Sequence, residues 1–128
     1  MKPSTREWIE KAESDYQLAL SLSRRRKTTF CDQACFHAQQ SAEKYLKARL
    51  EEARIFSPKT HDLEKLLNLV VTVEPLWAAL LVPLAALSIY AVEFRYPGCA
   101  ATVKDVKVAI KHVQAIRKEA RVAFGLKV

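Results

Sequence analysis

His37, Gln40, Lys44 and Lys47 recur at i, i+3, i+7 and i+10, the spacing of one face of a helix. Side chains of these types suit contact with phosphates and bases. Lysine supplies charge, while imidazole and amide groups supply directed hydrogen bonds. The same spacing also describes the solvated side of an ordinary helix, and both meanings stay open. Small residues (Cys35, Ala38, Ala42) run along another side of this stretch, where they let a second helix approach closely, and Leu46 and Leu50 fill the space below. Amides at Gln39 and Gln40 beside that seam point to polar groups built into a helix–helix contact.

Other constellations carry less chemistry. Cys31 and Cys35 are four residues apart with His37 nearby, but His37 lies about 200° around the helix from Cys35. No second Cys or His pair stands at ligand spacing, so no metal is expected and the cysteines read as core residues. His61 and Asp62 adjoin at a helix start, where neighbours do not face each other, so Thr60 and Asp62 read as caps. On the last helix Lys104, Lys107, Lys111, Lys118 and Arg121 form a basic stripe with Gln114 completing the ladder. That stripe is either a solvated face or a phosphate-facing surface.

The elements that must position these residues are helical. Repeated i, i+3/i+4 apolar faces, only two glycines and no strict alternation predict an all-α chain. The expected architecture is an antiparallel up-and-down bundle of four main helices plus a short additional one, all in a single domain over 1–128. Ser4 and Glu7 fit a capping box that opens the first helix. Ile9, Ala12, Tyr16, Ala19 and Leu20 face inward, and Glu10, Glu13 and Gln17 face out. The basic run at 24–27 ends that helix. The second runs from about Asp32 to Arg54, stopped by Ser57-Pro58. A short third helix presents Leu63, Leu66, Leu67 and Val70. The last spans about Thr102 to Ala123, with Val106, Ile110, Val113, Ala120 and Phe124 inward. Residues 1–3 and 125–128 are expected to fray.

Between them, Pro75 to Val92 is an eighteen-residue stretch without a charge. That is the lower edge of transmembrane length, with Trp77 and Tyr90 near its ends. Pro83 should kink it, Ser88 adds polarity, and Glu74 and Glu93 close it off at once. The reading adopted is a core helix broken near Pro83, with no membrane span. So much apolar surface exceeds what one face of a small bundle covers, which points to a homodimer.

Composition agrees. The net charge is +7 and is unevenly spread, since residues 99–128 alone carry seven basic and two acidic residues. Such charge favours phosphates or an acidic protein surface. Met1 to Glu13 is charged throughout and lacks the apolar run of a secretory signal. With three cysteines, an odd number, a reduced cytoplasmic setting is expected. No cofactor is expected.

The run Cys35-Phe36-His37-Ala38-Gln39-Gln40-Ser41-Ala42-Glu43-Lys44-Tyr45-Leu46-Lys47 resembles the second helix of the HEPN family (higher eukaryotes and prokaryotes nucleotide-binding). His61-Asp62-Leu63 and Arg95-Tyr96-Pro97 follow in the family's order, so the resemblance covers about Trp8 to Phe124. It implies a helical bundle that binds nucleotide or RNA, as the partner of a small nucleotidyltransferase in a toxin–antitoxin-like pair. Contact with that ligand is expected from His37, Gln40, Lys44 and Lys47 on one helical face and Lys104, Lys107 and Lys111 on another, joined by Arg95, which the resemblance places at the family's arginine, and its neighbour Tyr96. Two alternatives stand beside it. One is an active metal-independent ribonuclease with Arg95 stabilising a developing phosphorane and His37 or His61 as a displaced base. The other is a non-catalytic protein-interaction subunit. Arg95 occupies the place of the arginine in the family's Arg-x(4–6)-His motif, but Ala100, Ala101 and Thr102 stand where the histidine should. Arg54 and His61 match that spacing formally, in the connection between the second and third helices. No catalytic residue is therefore assigned.

Overall fold

A computed structural model describes residues 1–25, 28–91, 97 and 100–128. Among these residues every regular element is helical: α1 (Pro3–Arg24), α2 (Cys31–Glu52), α3 (Leu63–Val70), α4 (Leu81–Ser88) and α5 (Val103–Ala123), with short 3₁₀ turns at Thr28–Phe30, Pro75–Leu80 and Ile89–Ala91.

α1 begins one residue before the expected capping box, and the box does not form. Pro3 occupies the first turn, where its missing N–H costs nothing. Ser4 Oγ donates instead to Glu51 Oε1 at 2.7 Å, Thr5 Oγ1 to Glu52 Oε1 at 2.9 Å, and the Lys2 backbone N–H to Glu52 Oε1 at 3.0 Å. The antiparallel partner brings its last-turn carboxylates alongside the start of α1, so acceptors from across the seam replace a local Glu7. The same bonds tie down residues expected to fray.

α2 is the central helix, with Ala34, Cys35, Ala38, Ala42, Tyr45, Leu46 and Leu50 all buried. It ends at Glu52, well before Pro58. The Arg54 N–H reaches Glu51 O at 3.1 Å and the Ile55 N–H reaches Leu50 O at 2.9 Å, with Arg54 in the left-handed region at φ 58. This is a Schellman ending built without glycine. α5 closes the same way, Gly125 taking φ 70 and the Leu126 N–H reaching Arg121 O at 2.8 Å, so the C-terminal end is also hydrogen-bonded.

Side-chain contacts give the directions. α1 and α2 are antiparallel, since Lys2 meets Glu52 and Ser41 Oγ donates to Ala12 O. The 53–62 connection returns along α2 as far as Gln39, whose amide reaches His61 O. α3 then runs parallel to α2, so that Arg49 Nε meets Glu74 Oε1 at 3.0 Å. Residues 75–91 come back, putting Ser88 Oγ against the Leu63 N–H. α5 runs parallel to α2, from Ala101 beside Asp32 to Arg121 beside Tyr45. The four long segments thus alternate in direction, with α3 as the short additional helix.

The expected kink at Pro83 is displaced. The axis changes at Leu80–Leu81, where the 3₁₀ segment gives way to α4, and Pro83 sits in the first turn of α4 where no N–H donor is required. Trp77, Leu80, Leu84, Leu87 and Tyr90 turn into the core. Leu76 is 82 % and Val82 73 % exposed, and Leu81 and Ile89 are exposed beside them. Among the described residues no helix is long and apolar enough to cross a membrane.

Candidate functional site

The polar face of α2 is more occupied than a solvated strip. Asp15 of α1 accepts from His37 Nδ1 at 2.8 Å and also pairs with Lys44 Nζ. One turn further round, Glu43 lies buried and accepts from three groups: His61 Nδ1 at 2.8 Å, Gln39 Nε2 at 3.2 Å and Lys47 Nζ at 3.1 Å. Gln39 is fully buried, and its Oε1 accepts from Gln40 Nε2 at 2.8 Å. Lys47 also sits 5.7 Å over the Trp8 ring. The face therefore carries two imidazoles, each with Nδ1 fixed by a carboxylate. Its two lysines are already neutralised, and a buried charge without such partners would be costly.

Sequence spacing does not single out the partners of these groups, Asp15 and Glu43. Glu43 stands inside the HEPN-like run, and the legible signal is the amides at Gln39 and Gln40, because amides beside a small-residue seam must find partners. Asp62 caps α3, accepting from the Glu64 and Lys65 N–H groups, and Thr60 Oγ1 accepts from the Asp62 N–H. His61 looks away from Asp62 toward Glu43.

A second polar cluster fills the α1–α2–α5 seam. Glu13, expected outside, is bound there by Arg117 through Nε at 2.7 Å and Nη2 at 2.9 Å, and by Tyr45 Oη at 2.9 Å. Burial alone would raise the Glu13 carboxyl, but bonds from Arg117, Gln17 and Tyr45 outweigh it and hold the pKa down to about 2. Burial pushes the Tyr45 hydroxyl up to about 12 despite a bond from Arg121, with Glu13 adding to the rise. Arg121 thus leaves the basic stripe: it is half-buried, reaching Tyr45 Oη at 3.3 Å, and its Nε donates to Lys127 O. The Cys35 thiol is also pushed up to about 12, first by burial and then by Asp105, which fits a core cysteine.

Lys104, Lys107 and Lys111 do lie exposed along α5, and among the described residues no ion pair engages them. Asp105, the acid nearest to them in sequence, is committed to the N-terminus of α5. Its Oδ2 accepts from the Thr102 N–H at 2.8 Å, while Thr102 Oγ1 accepts from the Asp105 N–H at 3.1 Å. His112, on the same helix, has its pKa lowered by burial and by Lys111. A cleft of about 290 Å³ opens where the end of α1 and the starts of α2 and α5 meet, with Leu22, Val106 and Ile110 inside and Arg24 and Lys107 at its edge.

Arg95 and Tyr96 lie outside the described residues. Two positions where the motif histidine would stand have structural tasks. The Ala101 N–H donates to Asp32 Oδ1 at 2.7 Å, and Thr102 is the α5 cap. Among the described residues no group of three His, Cys, Asp or Glu side chains is placed to hold a metal ion.

A search of curated proteins finds no match. The fold is similar to the crystal structure of TT1696 from Thermus thermophilus, with a TM-score of 0.82 and 21 % identity over 94 % of this chain and 98 % of that one. It is also similar to ST0689, an archaeal HEPN homologue, with a TM-score of 0.75 and 25 % identity over 96 % of this chain and 98 % of that one. The family model described as the HEPN domain matches residues 5–122, from the buried Thr5 at the start of α1 to the last turn of α5. The chain belongs to the HEPN domain family.

Proposed function

We propose that this HEPN domain binds nucleotide or RNA as a homodimer, in the cytoplasm, as the partner of a small nucleotidyltransferase in a toxin–antitoxin-like pair. The observation that carries the reading is the exposed lysine row Lys104, Lys107 and Lys111 on α5, without an ion-pair partner among the described residues, whose Lys107 lines the same cleft as Arg24. Cations without carboxylate partners are free to neutralise phosphates and release counterions, and an apolar floor accepts a base. Arg95 and Tyr96, which lie outside the described residues, are proposed as contacts to the same ligand on the family resemblance alone. His37, Gln40, Lys44 and Lys47 belong to it in a lesser role, because both lysines must exchange an internal carboxylate for a phosphate. The apolar exposure of Leu76, Leu81, Val82 and Ile89 supports self-association.

The test is titration of the purified protein with a labelled single-stranded RNA and with labelled nucleotides at low and moderate salt. Binding that weakens steeply with salt, and weakens again in Lys107→Glu/Lys111→Glu, supports the reading. Absence of binding to either ligand at low salt overturns it.

A further inference from the structure

We propose that His61 is a phosphoryl-accepting nucleophile: its Nε2 takes a phosphoryl group from a small acyl phosphate or amidophosphate, with Glu43 as the positioning residue. The ring is held as an ordinary surface histidine is not. Its side chain is 59 % exposed, yet it is clamped by two buried groups, the Glu43 carboxylate on Nδ1 at 2.8 Å and the Gln39 amide on its own carbonyl at 3.4 Å. Gln39 is in turn bound by Gln40, so the clamp is fixed from behind.

This arrangement selects a tautomer. In the neutral ring the Nδ1 proton is donated to Glu43, which leaves the lone pair on Nε2, and among the described residues no hydrogen bond engages Nε2. A nucleophile oriented by a base, itself held by a third group, is the general arrangement for covalent catalysis by a side chain. Lys47 on the second oxygen of Glu43 balances the buried carboxylate before the imidazole contributes any charge. His37 is a weaker candidate, because it is only 25 % exposed and its carboxylate, Asp15, is shared with Lys44.

In the step itself the Nε2 lone pair attacks phosphorus and an N–P bond forms. The bond from phosphorus to the leaving group breaks, and its electron pair departs with the carboxylate of an acyl phosphate, or with the amine of an amidophosphate after a proton from water. The Nδ1 proton stays in place, so Glu43 stabilises the positive charge that spreads over the ring. The product is Nε2-phosphohistidine, with no oxidant or metal in the balance. This site stands apart from the α5 lysine row but shares Gln40 and Lys47 with the lesser part of the proposed ligand surface, so its test is run without RNA or nucleotide and its outcome does not depend on whether either binds.

The test is the rate of phosphorylation of the full chain by potassium phosphoramidate. It is read by intact mass and by peptide mapping under alkaline conditions, and compared with a free peptide carrying the 58–67 sequence. The expected result is one acid-labile adduct at His61, formed at least about tenfold faster than on the peptide. It should be lost in His61→Gln, retained in His37→Gln, and slowed to the peptide rate in Glu43→Gln with melting temperature measured alongside. A His61 rate equal to that of the peptide, or an adduct that forms first on His37 or His112, overturns the proposal whether or not Glu43→Gln folds.

Discussion

At the scale of single residues, the carboxylates decide what the polar groups can do. Glu13 shows why helical periodicity misplaces it. An acid flanking an apolar stripe is read as outward, yet a guanidinium from α5, 104 residues away in sequence, draws it into the seam. Its pKa of about 2, against an ordinary 4.5, makes it a stabiliser whose contribution is complete above the ordinary value and disappears as pH falls toward 2. Glu13→Gln should cost about 1–3 kcal/mol at neutral pH, the worth of hydrogen bonds to a charged group. The gap from the unmodified protein should narrow as pH drops through that window. Denaturant melts at neutral and acidic pH check this, and a gap of constant size would contradict the assignment. Gln39 and Gln40, by contrast, are legible, because amides beside alanines have few places to go.

The helices end by different means, and this is where element boundaries are hardest to anticipate. Proline rules suggest that Pro58 stops α2, whereas backbone bonds to Leu50 and Glu51 stop it six residues earlier with Arg54 in a left-handed conformation. Nothing about an arginine signals that turn. Left-handed backbone disfavours any residue with a Cβ, so Arg54→Gly should raise stability by up to about 1 kcal/mol, seen as a higher melting temperature. Loss of stability would mean that the Arg54 side chain makes a contact worth more than the strain. On α5 the basic stripe holds at Lys104, Lys107, Lys111 and Lys118, all exposed, and fails at Arg121, which Tyr45 and the half-buried Glu13 capture. Lys107→Glu/Lys111→Glu should leave the helical circular-dichroism signal unchanged. It should also flatten the slope of log affinity against log salt by about 2, one unit for each phosphate that the protein no longer neutralises.

The whole molecule sets a +7 charge against the apolar surface exposed at Leu76, Leu81, Val82 and Ile89. Like charge repels a second copy at most approaches, and the 75–91 segment offers contact without a charged side chain. Leu76→Glu/Val82→Glu should therefore convert a dimer to a monomer in light scattering at micromolar concentration, with little change in melting temperature, because both side chains face solvent at 82 % and 73 % exposure. A protein that is monomeric before substitution would leave that surface unexplained by self-association.

The sequence alone determined the all-helical class, the apolar faces of the long segments and the burial of the cysteines at 31 and 35. Each follows from local periodicity, and burying an apolar stripe requires only that a partner helix exist. The tertiary structure decided which charges are free. Lys44 and Lys107 look alike along the chain, each a lysine on a polar helical face. Asp15, on a different helix, neutralises the first, while Asp105, the acid nearest the second in sequence, is spent on capping α5. Coulombic pairing depends on distance in space, and residues brought together from separate helices carry no mark of it in their spacing.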